Sequence, residues 1–292
     1  MKFRVRHLTT YEYSEPVRLS HHAAHLCPRD VPGQKFEQPG LKINPGPAVL
    51  GAMQSDYFGN PTVYFTIQDP HSTLEVEAEF IVETSAMPAL PHLVGTAWDK
   101  VKTELRRATR GHVLGAQDFL YASPLVPILP EATEYAIASF PPGRPLTEAV
   151  LDLTSRIHRD FAFDTSATKV GTSLASVFED RRGVCQDFAH VTVACLRAVG
   201  LAARYVSGYI RTLPPPGKEK LIGADASHAW ASVFVPGWGW LDVDPTNDTI
   251  CGEDHITVAW GRDYDDVSPI RGVVLGGGNH HIEVAVDVFE LI

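Results

Sequence analysis

Two segments of the chain, 74–83 and 282–289, alternate apolar and polar residues along most of their length. A period of two sends successive side chains to opposite faces, so both segments are predicted to be β-strands with one wet face. A third strand is predicted at 62–67, where β-branched and aromatic residues follow the turn Gly59-Asn60-Pro61. Short strands separated by turns predict that residues 1–86 form an N-terminal β-sandwich domain.

The pattern changes after residue 86. Prolines break residues 87–145 into short pieces, which predicts a linker and a helical lead-in with helices near 98–107 and 131–140. Beyond it, apolar spacing and helix stop signals predict further helices, and later runs predict strands with an exposed loop at 214–220. Residues 146–292 therefore form a predicted α+β core, helices first and an antiparallel sheet after. Its helices are expected at 146–161, 173–179 and 186–199, and its strands at 203–210, 228–235, 238–244, 273–275 and 282–289.

Composition narrows the possible partners. The chain has 292 residues, 44% of them hydrophobic, and a formal net charge of −10. An acidic chain lacks the basic surface that nucleic acids and anionic membranes require, so neither is expected as a partner. No apolar run approaches the roughly 20 residues that span a bilayer, and the first residues alternate like a strand and contain no apolar signal core. We therefore expect a cytosolic protein of unknown oligomeric state.

The segment RRGVCQDFAH contains the most informative of the four cysteines. Gly183 ends a loop, and good helix formers run from Gln186 until Gly200, so Cys185 is expected at the first turn of a helix. Free backbone N–H groups and the helix dipole favour an anion there, and a thiolate so placed is a nucleophile that needs a base. The alternative is a small buried cysteine, which is how we interpret Cys195.

A predicted hairpin around Pro236-Gly237 supplies a base and an acid. If its loop is 235–237, His228 faces Asp244 on the same side of the sheet, where the carboxylate can orient the imidazole. Asp242 has the same side-chain parity and is the competing acid, and Asp248 is a weaker one. His190 is rejected as the base because five helical positions turn its side chain about 140° from Cys185.

Simpler interpretations exist for each of these residues. A strand histidine can be satisfied by a neighbour, and an aspartate ahead of Pro245 can serve a turn. The segment containing His21, His25 and Cys27 offers residue types that bind metals. The sequence shows no matching second set of ligands, so no metal site is expected.

Several blocks carry a resemblance to a known family. GVCQDFAH, LRAVGLAARYVSGYI and SHAWASVFVPGWGWLDVDPTN are similar to the bacterial transglutaminase-like superfamily, in a subgroup often described as cysteine proteases. The tail HITVAWGRDYDDVSPIRGV resembles the same subgroup. RHLTTYEYSEPV and DYFGNP resemble the β-rich domain that precedes its catalytic core. The resemblance implies a papain-like core of helices packed on an antiparallel sheet.

The resemblance also implies roles for individual residues. Cys185 would be the nucleophile, His228 the general base and acid, and Asp244 the orienting carboxylate. Gln186 and Trp230 would be neighbours that bind substrate. The implied reaction is acyl transfer or hydrolysis at a carboxamide or peptide bond of a protein or peptide, through a thioester and without a metal or organic cofactor.

Other functions stay open at this point. Arylamine N-acetyltransferases share the order Cys, His, Asp, although their cysteine block differs from RRGVCQDFAH, and a scaffold on the same fold would need no catalysis. The triad does not decide whether water or an amine resolves the thioester. Some relatives hold the oxyanion with an aromatic donor, but Phe161 and Phe163 of the matching FAFD cannot donate. The backbone N–H of Cys185 and an unassigned second donor would then hold it.

Overall fold

The structure is a computed structural model that describes residues 1–86, 95–109, 111–169, 171–212 and 227–291, except for the side chains of Gln38 and His112. The predicted loop 214–220, and residues 87–94 and 110 of the predicted lead-in, lie outside the described residues. Strands dominate the first part, as the alternation predicts. They are β1 (Lys2–Ala24), β2 (Gln34–Asn44), β3 (Val49–Leu50), β4 (Gln54–Ser55), β5 (Pro61–Ile67) and β6 (His71–Thr84).

Helices follow, and the predicted ones form with end shifts of at most three residues. The predicted serine cap is present, because the Ser173 side chain accepts a hydrogen bond from the backbone N–H of Ser176. The helices are α1 (Trp98–Arg107), α2 (Gly111–Ala116), α3 (Pro130–Ile137), α4 (Leu146–Asp160), α5 (Leu174–Asp180), α6 (Cys185–Ala198) and α7 (Tyr264–Val267).

The remaining strands follow β6 in chain order. They are β7 (Ala162–Phe163), β8 (Arg182–Gly183), β9 (Ala203–Ile210), β10 (Ser227–Val235), β11 (Gly239–Asp244), β12 (Thr249–Ile250), β13 (His255–Gly261), β14 (Ile270–Gly276) and β15 (His280–Glu290). Five of them form an antiparallel core sheet in the order β12-β11-β10-β9-β13, while β7 and β8 form a short parallel pair. The predicted α+β class is confirmed, with α6 packed on β9 and β10.

The placement of the last two strands in the core is wrong. Both β14 and β15 run antiparallel to β1, with Val17 opposite Gly276 and Tyr13 opposite His280. Between them Gly276, Gly277 and Gly278 adopt positive φ angles, so the chain bends there yet continues along the same neighbour. Alternation shows that a strand has one buried face, but it does not identify the strand it pairs with.

The N-terminal strands are joined with β14 and β15 in one eight-stranded sheet through β1. The first half of β1 lies between β6 and β15, and its second half contacts β5 and β14. This sheet shares a hydrophobic cluster with the core sheet, where Phe3 and Phe80 meet Tyr209 and Ile256. Among the described residues, no helix combines the length and the apolar character needed to cross a membrane.

Gly208 on β9 fixes how closely the core sheet packs. A Cβ at this position would clash with the carbonyl oxygen of Ile256 and lie 2.6 Å from Cη2 of Trp230. Trp230 is fully buried, so its indole ring has no room to withdraw. A side chain at position 208 therefore has to displace the backbone of β13 or the Trp230 ring.

We expect Gly208→Ala to lower the free energy of unfolding by about 3 kcal/mol, because the extra methyl overpacks the sheet. Urea denaturation followed by circular dichroism measures this change. Gly252→Ala is the matched control, since a Cβ there meets no atom within 4 Å, and it should stay within about 0.5 kcal/mol of wild type. Equal stability of the two variants would contradict this account of Gly208.

Candidate active site

Cys185 is the first residue of α6, as the sequence predicts, and its thiol is free and half-buried. The turn before it is held by Asp187, whose Oδ2 accepts hydrogen bonds from the Val184 N–H at 2.8 Å and from the Thr168 hydroxyl at 2.6 Å. Gly183 is required there because a Cβ would lie 2.7 Å from Cβ of Asp187. The carboxylate in the first turn thus orders the backbone that presents the thiol.

His228 lies between the thiol and a buried carboxylate. Its Nε2–H donates to Oδ2 of Asp244 at 2.7 Å, and its ring is close enough to Cys185 for the two side chains to interact. Because Nε2 is engaged by the carboxylate, we infer that Nδ1 faces the sulfur. The structure therefore brings together the three residues that the sequence singles out.

The predicted register of the hairpin is wrong by two residues. Ala231 pairs with Val243 rather than Leu241, because the three-residue loop is 236–238 and not 235–237. A shift of two preserves the face on which every side chain lies, whereas a shift of one would reverse it. His228 consequently reaches Asp244 from a diagonal position of the same sheet face.

The other candidate acids and the rival base have different partners. Asp242 accepts a hydrogen bond from Nε1 of Trp230 at 3.1 Å, and Asp248 accepts one from the Ser155 hydroxyl at 2.6 Å. His190 is buried beside Tyr205 and its Nε2 accepts the backbone N–H of Tyr264 at 3.2 Å. Burial lowers the pKa of His190 to about 4. It is therefore a neutral core residue.

Two residues of the site were not predicted from the sequence. His255 on β13 donates through Nε2 to Oδ2 of Asp244 at 3.2 Å, and Nδ2 of Asn247 donates to the same oxygen at 2.7 Å. The Asn247 contact has a sequence signal, because an Asp-Pro turn folds the following residues back onto the aspartate. His255 has none, because its contact depends on how β13 pairs across the sheet.

The two proposed substrate neighbours have different surroundings. Trp230 is fully buried, with its ring 6.1 Å from the His228 ring and 5.3 Å from that of His255. It forms the floor beneath the histidines. Gln186 is half-buried in the first turn of α6, where it lines a small recess together with Thr172 and His190.

Electrostatics favour a charged histidine at this site. Burial opposes the charge on His228, but the hydrogen bonds with Asp244 and Cys185 outweigh it and raise the pKa of His228 to about 9. Burial would likewise raise the pKa of Asp244, yet hydrogen bonds from His228 and His255 hold it well below its usual range. An imidazolium beside a carboxylate is therefore the resting state near neutral pH.

One cluster of side chains among the described residues has a geometry suitable for binding a metal ion. His228, Asp244 and His255 each offer one ligand atom, and these atoms lie within 4.8 Å of one another. His21 and His25 of the N-terminal segment are instead bound to separate neighbours, with Nδ1 of His21 beside the Thr66 hydroxyl at 2.9 Å and Nδ1 of His25 donating to the Ser268 carbonyl at 3.1 Å.

Comparison with known proteins identifies the family. Residues 3–83 match the bacterial transglutaminase-like N-terminal region, and residues 138–245 match the transglutaminase-like superfamily. An uncharacterized protein of Mycobacterium tuberculosis, Rv2569c, is 41% identical over 292 residues, which cover 98% of this chain and 92% of that protein. The chain belongs to the transglutaminase-like superfamily.

Two further proteins are similar to this chain, one in part of its sequence and one in its fold. A protein-glutamine gamma-glutamyltransferase of Pseudomonas aeruginosa is 36% identical over 92 residues, 30% of this chain and 14% of that protein. The crystal structure of a proposed cysteine protease from Cytophaga hutchinsonii superposes with a TM-score of 0.74 at 20% identity, covering 100% of this chain and 92% of the other. That likeness supports the fold of both halves.

The pKa of His228 should depend on Asp244 and not on Asp242. In Asp244→Asn the burial of His228 persists without its carboxylate, so we expect its pKa to fall by about 2 units. NMR titration of histidine-labelled protein measures this value. Asp242→Asn is the matched control, and its His228 should still titrate near 9. The reverse ranking of the two variants would identify Asp242 as the partner.

The raised pKa also sets a pH window for stability. The folded pKa of about 9 lies above the unfolded value of about 6.5. The contribution of His228 to stability is therefore fully present below about pH 6.5 and is lost as the pH rises through about 9. Asp244 acts in the opposite direction, because its depressed pKa stabilises the fold above about pH 3.9 and that contribution is lost as the pH falls.

Proposed function

We propose that this protein is a cysteine-dependent enzyme that cleaves or exchanges a carboxamide or peptide bond through a thioester on Cys185. The observation that carries the proposal is the row of Cys185, His228 and Asp244, in which the histidine interacts with the cysteine and is hydrogen-bonded to the carboxylate at 2.7 Å. A nucleophile, a base and a group that orients the base are the parts that thiol acyl transfer requires.

The first half of the reaction forms the thioester. The Cys185 sulfur attacks the carbonyl carbon, the C–S bond forms, and the backbone N–H of Cys185 at the start of α6 faces the developing oxyanion. The C–N bond then breaks, and the imidazolium of His228 gives its proton to the departing amine. Asp244 keeps the ring oriented and stabilises its charge throughout.

The second half resolves the thioester. Neutral His228 takes a proton from water or from an incoming amine, which attacks the carbonyl carbon and breaks the C–S bond. The thiolate is restored and remains paired with the imidazolium. Water makes the enzyme a peptidase or amidase, and an amine makes it a transglutaminase.

The charge state of His228 supports this chemistry at neutral pH. A pKa raised to about 9 keeps the imidazole protonated, and a protonated imidazole next to the sulfur stabilises a thiolate. The three other cysteines are buried, and burial raises the pKa of each of them. Cys185 is half-buried instead, which supports it as the nucleophile.

The relatives support the same class of reaction and a protein or peptide as the substrate. One is named a protein-glutamine gamma-glutamyltransferase and another a cysteine protease, so their names span transfer to an amine and transfer to water. The net charge of −10 favours neither a nucleic-acid nor an anionic-membrane partner. Cytosolic location stays a prediction of the sequence.

Alkylation tests the proposal directly. We expect iodoacetamide to modify Cys185 at a rate that is nearly constant from pH 6 to 8, because the proposal requires a thiolate paired with the imidazolium of His228. In His228→Ala the rate should instead fall about tenfold for each pH unit below about 8.5, as for an ordinary thiol. Mass spectrometry of the digested protein measures the rate at each cysteine.

The controls lie within the same digest. Cys27, Cys195 and Cys251 are buried and should stay unmodified in the folded protein, and their labelling would report unfolding of a variant. Identical pH profiles in wild type and His228→Ala, in a variant whose buried cysteines are protected, would exclude the catalytic pair and favour a scaffold. Modification of Cys185 by acetyl-CoA would favour the N-acetyltransferase alternative.

A further inference from the structure

A second cavity lies behind the acid end of the triad, between the N-terminal sheet and the core sheet. Its volume is about 450 Å³, which lies in the range of small-molecule sites. Four of the five tryptophans of the chain line it, together with Gln34 and Thr84 from the N-terminal part. These four tryptophans are Trp230, Trp238, Trp240 and Trp260. Cys185 and His228 are not among the residues that line the cavity.

Arg204 is the buried cation of this cavity, which is also lined by the carboxylate of Asp242. Only 6% of the residue is exposed, and its guanidinium carbon lies 4.2 Å from the ring centre of Trp240 and 3.6 Å from that of Trp260. Stacking between two indoles fixes the plane of the guanidinium and leaves its edge to donate.

The edge of this guanidinium lacks a partner within the described part of the chain. Its Nε is buried without a hydrogen bond, and the carboxylate of Asp242 acts on the guanidinium through its charge. Burial lowers the pKa of Arg204 to about 9 while the charge of Asp242 opposes that effect, so the group stays protonated at neutral pH. A buried cation without an acceptor is costly to the fold and calls for an external anion.

Arg197 shows how the same fold satisfies a buried arginine. It is 3% exposed, and its guanidinium donates five hydrogen bonds. The acceptors are the carbonyl oxygens of Phe119, Ala203 and Arg262 and the hydroxyl of Ser123. Arg204 has no such set of carbonyl and hydroxyl acceptors among the described residues, and it faces an aromatic cavity instead.

Three other polar side chains of the cavity are already engaged. Gln34 bonds to Thr257 through both ends of its amide, Thr84 donates to the Glu253 carbonyl, and His255 is bound to Asp244. Asp242 keeps one acceptor, because its Oδ2 takes the Trp230 N–H while its Oδ1 is buried without a partner among the described residues. The recognition chemistry of the cavity is therefore one guanidinium and one carboxylate oxygen among indole rings.

We propose that this cavity binds a small organic carboxylate with an apolar body. The carboxylate pairs with the N–H edge of Arg204, since a planar fork of donors matches two carboxylate oxygens. The apolar body packs against the indole rings. The ligand would contact Trp230 and His255, which touch the triad, and not Cys185. The site does not depend on the proposed acyl transfer.

Intrinsic fluorescence tests the site, because all tryptophans except Trp98 line the cavity. The probes share one phenyl body: 3-phenylpropionate, the neutral 3-phenylpropionamide and the cationic phenethylamine. We expect saturable quenching by the carboxylate, with the amide and the amine at least about tenfold weaker. The titration is repeated in Cys185→Ala, so binding is measured whether or not the triad is active.

Arg204→Met should remove the preference for the carboxylate while keeping weak binding of the amide. Arg159→Met is the matched control for charge, because Arg159 pairs with Asp160 on α4 and does not line the cavity. Equal binding of carboxylate and amide to the wild-type protein, or no saturable binding of either, would overturn the proposal even if Arg204→Met fails to fold. A preference that survives in a folded Arg204→Met would also overturn it.

Discussion

The buried carboxylate of Asp244 is the constraint around which the core sheet and the candidate site are arranged. It is fully buried and accepts five hydrogen bonds, two from backbone N–H groups and three from side chains. An ion without water needs such partners, and it obtains them from β10, from β13 and from the turn after β11. The same bonds that make the charge tolerable in the interior therefore hold three separate segments in a fixed arrangement.

This constraint connects the fold to the chemistry. The carboxylate holds one ring nitrogen of His228, so the other is directed at the start of α6. Cys185 reaches that position because α6 packs along the sheet and because the Asp187 carboxylate orders the turn before it. Position, tautomer and charge of the histidine all follow from one buried interaction. The helix contributes the thiol together with a backbone N–H at the end where negative charge is favoured.

Local sequence signals for helix ends predicted more of this arrangement than the expected pairing of strands did. Helix caps and stops located Cys185 at the first turn of α6, because those signals lie within a few residues of each other. The predicted pairing of His228 with Asp244 held although the register was wrong by two residues, because a shift of two leaves each side chain on the same face of the sheet. His255 and the partner of β15 could not be predicted, because both depend on which distant strand lies alongside. The paired placement of Arg204 against Trp240 and Trp260 depends on the same long-range order.

The pairing of β1 with β14 and β15 has a consequence for how the protein is made. Residues 2–24 obtain one set of neighbours within the next sixty residues, from β5 and β6, but the other set only from residues 270–290. Such pairings have high contact order and form slowly, because a long loop must close first. While the intervening core emerges from the ribosome, one side of β1 remains an unpaired edge that other chains can join. The N-terminal sheet thus begins to form before the core sheet is translated and is completed only after it.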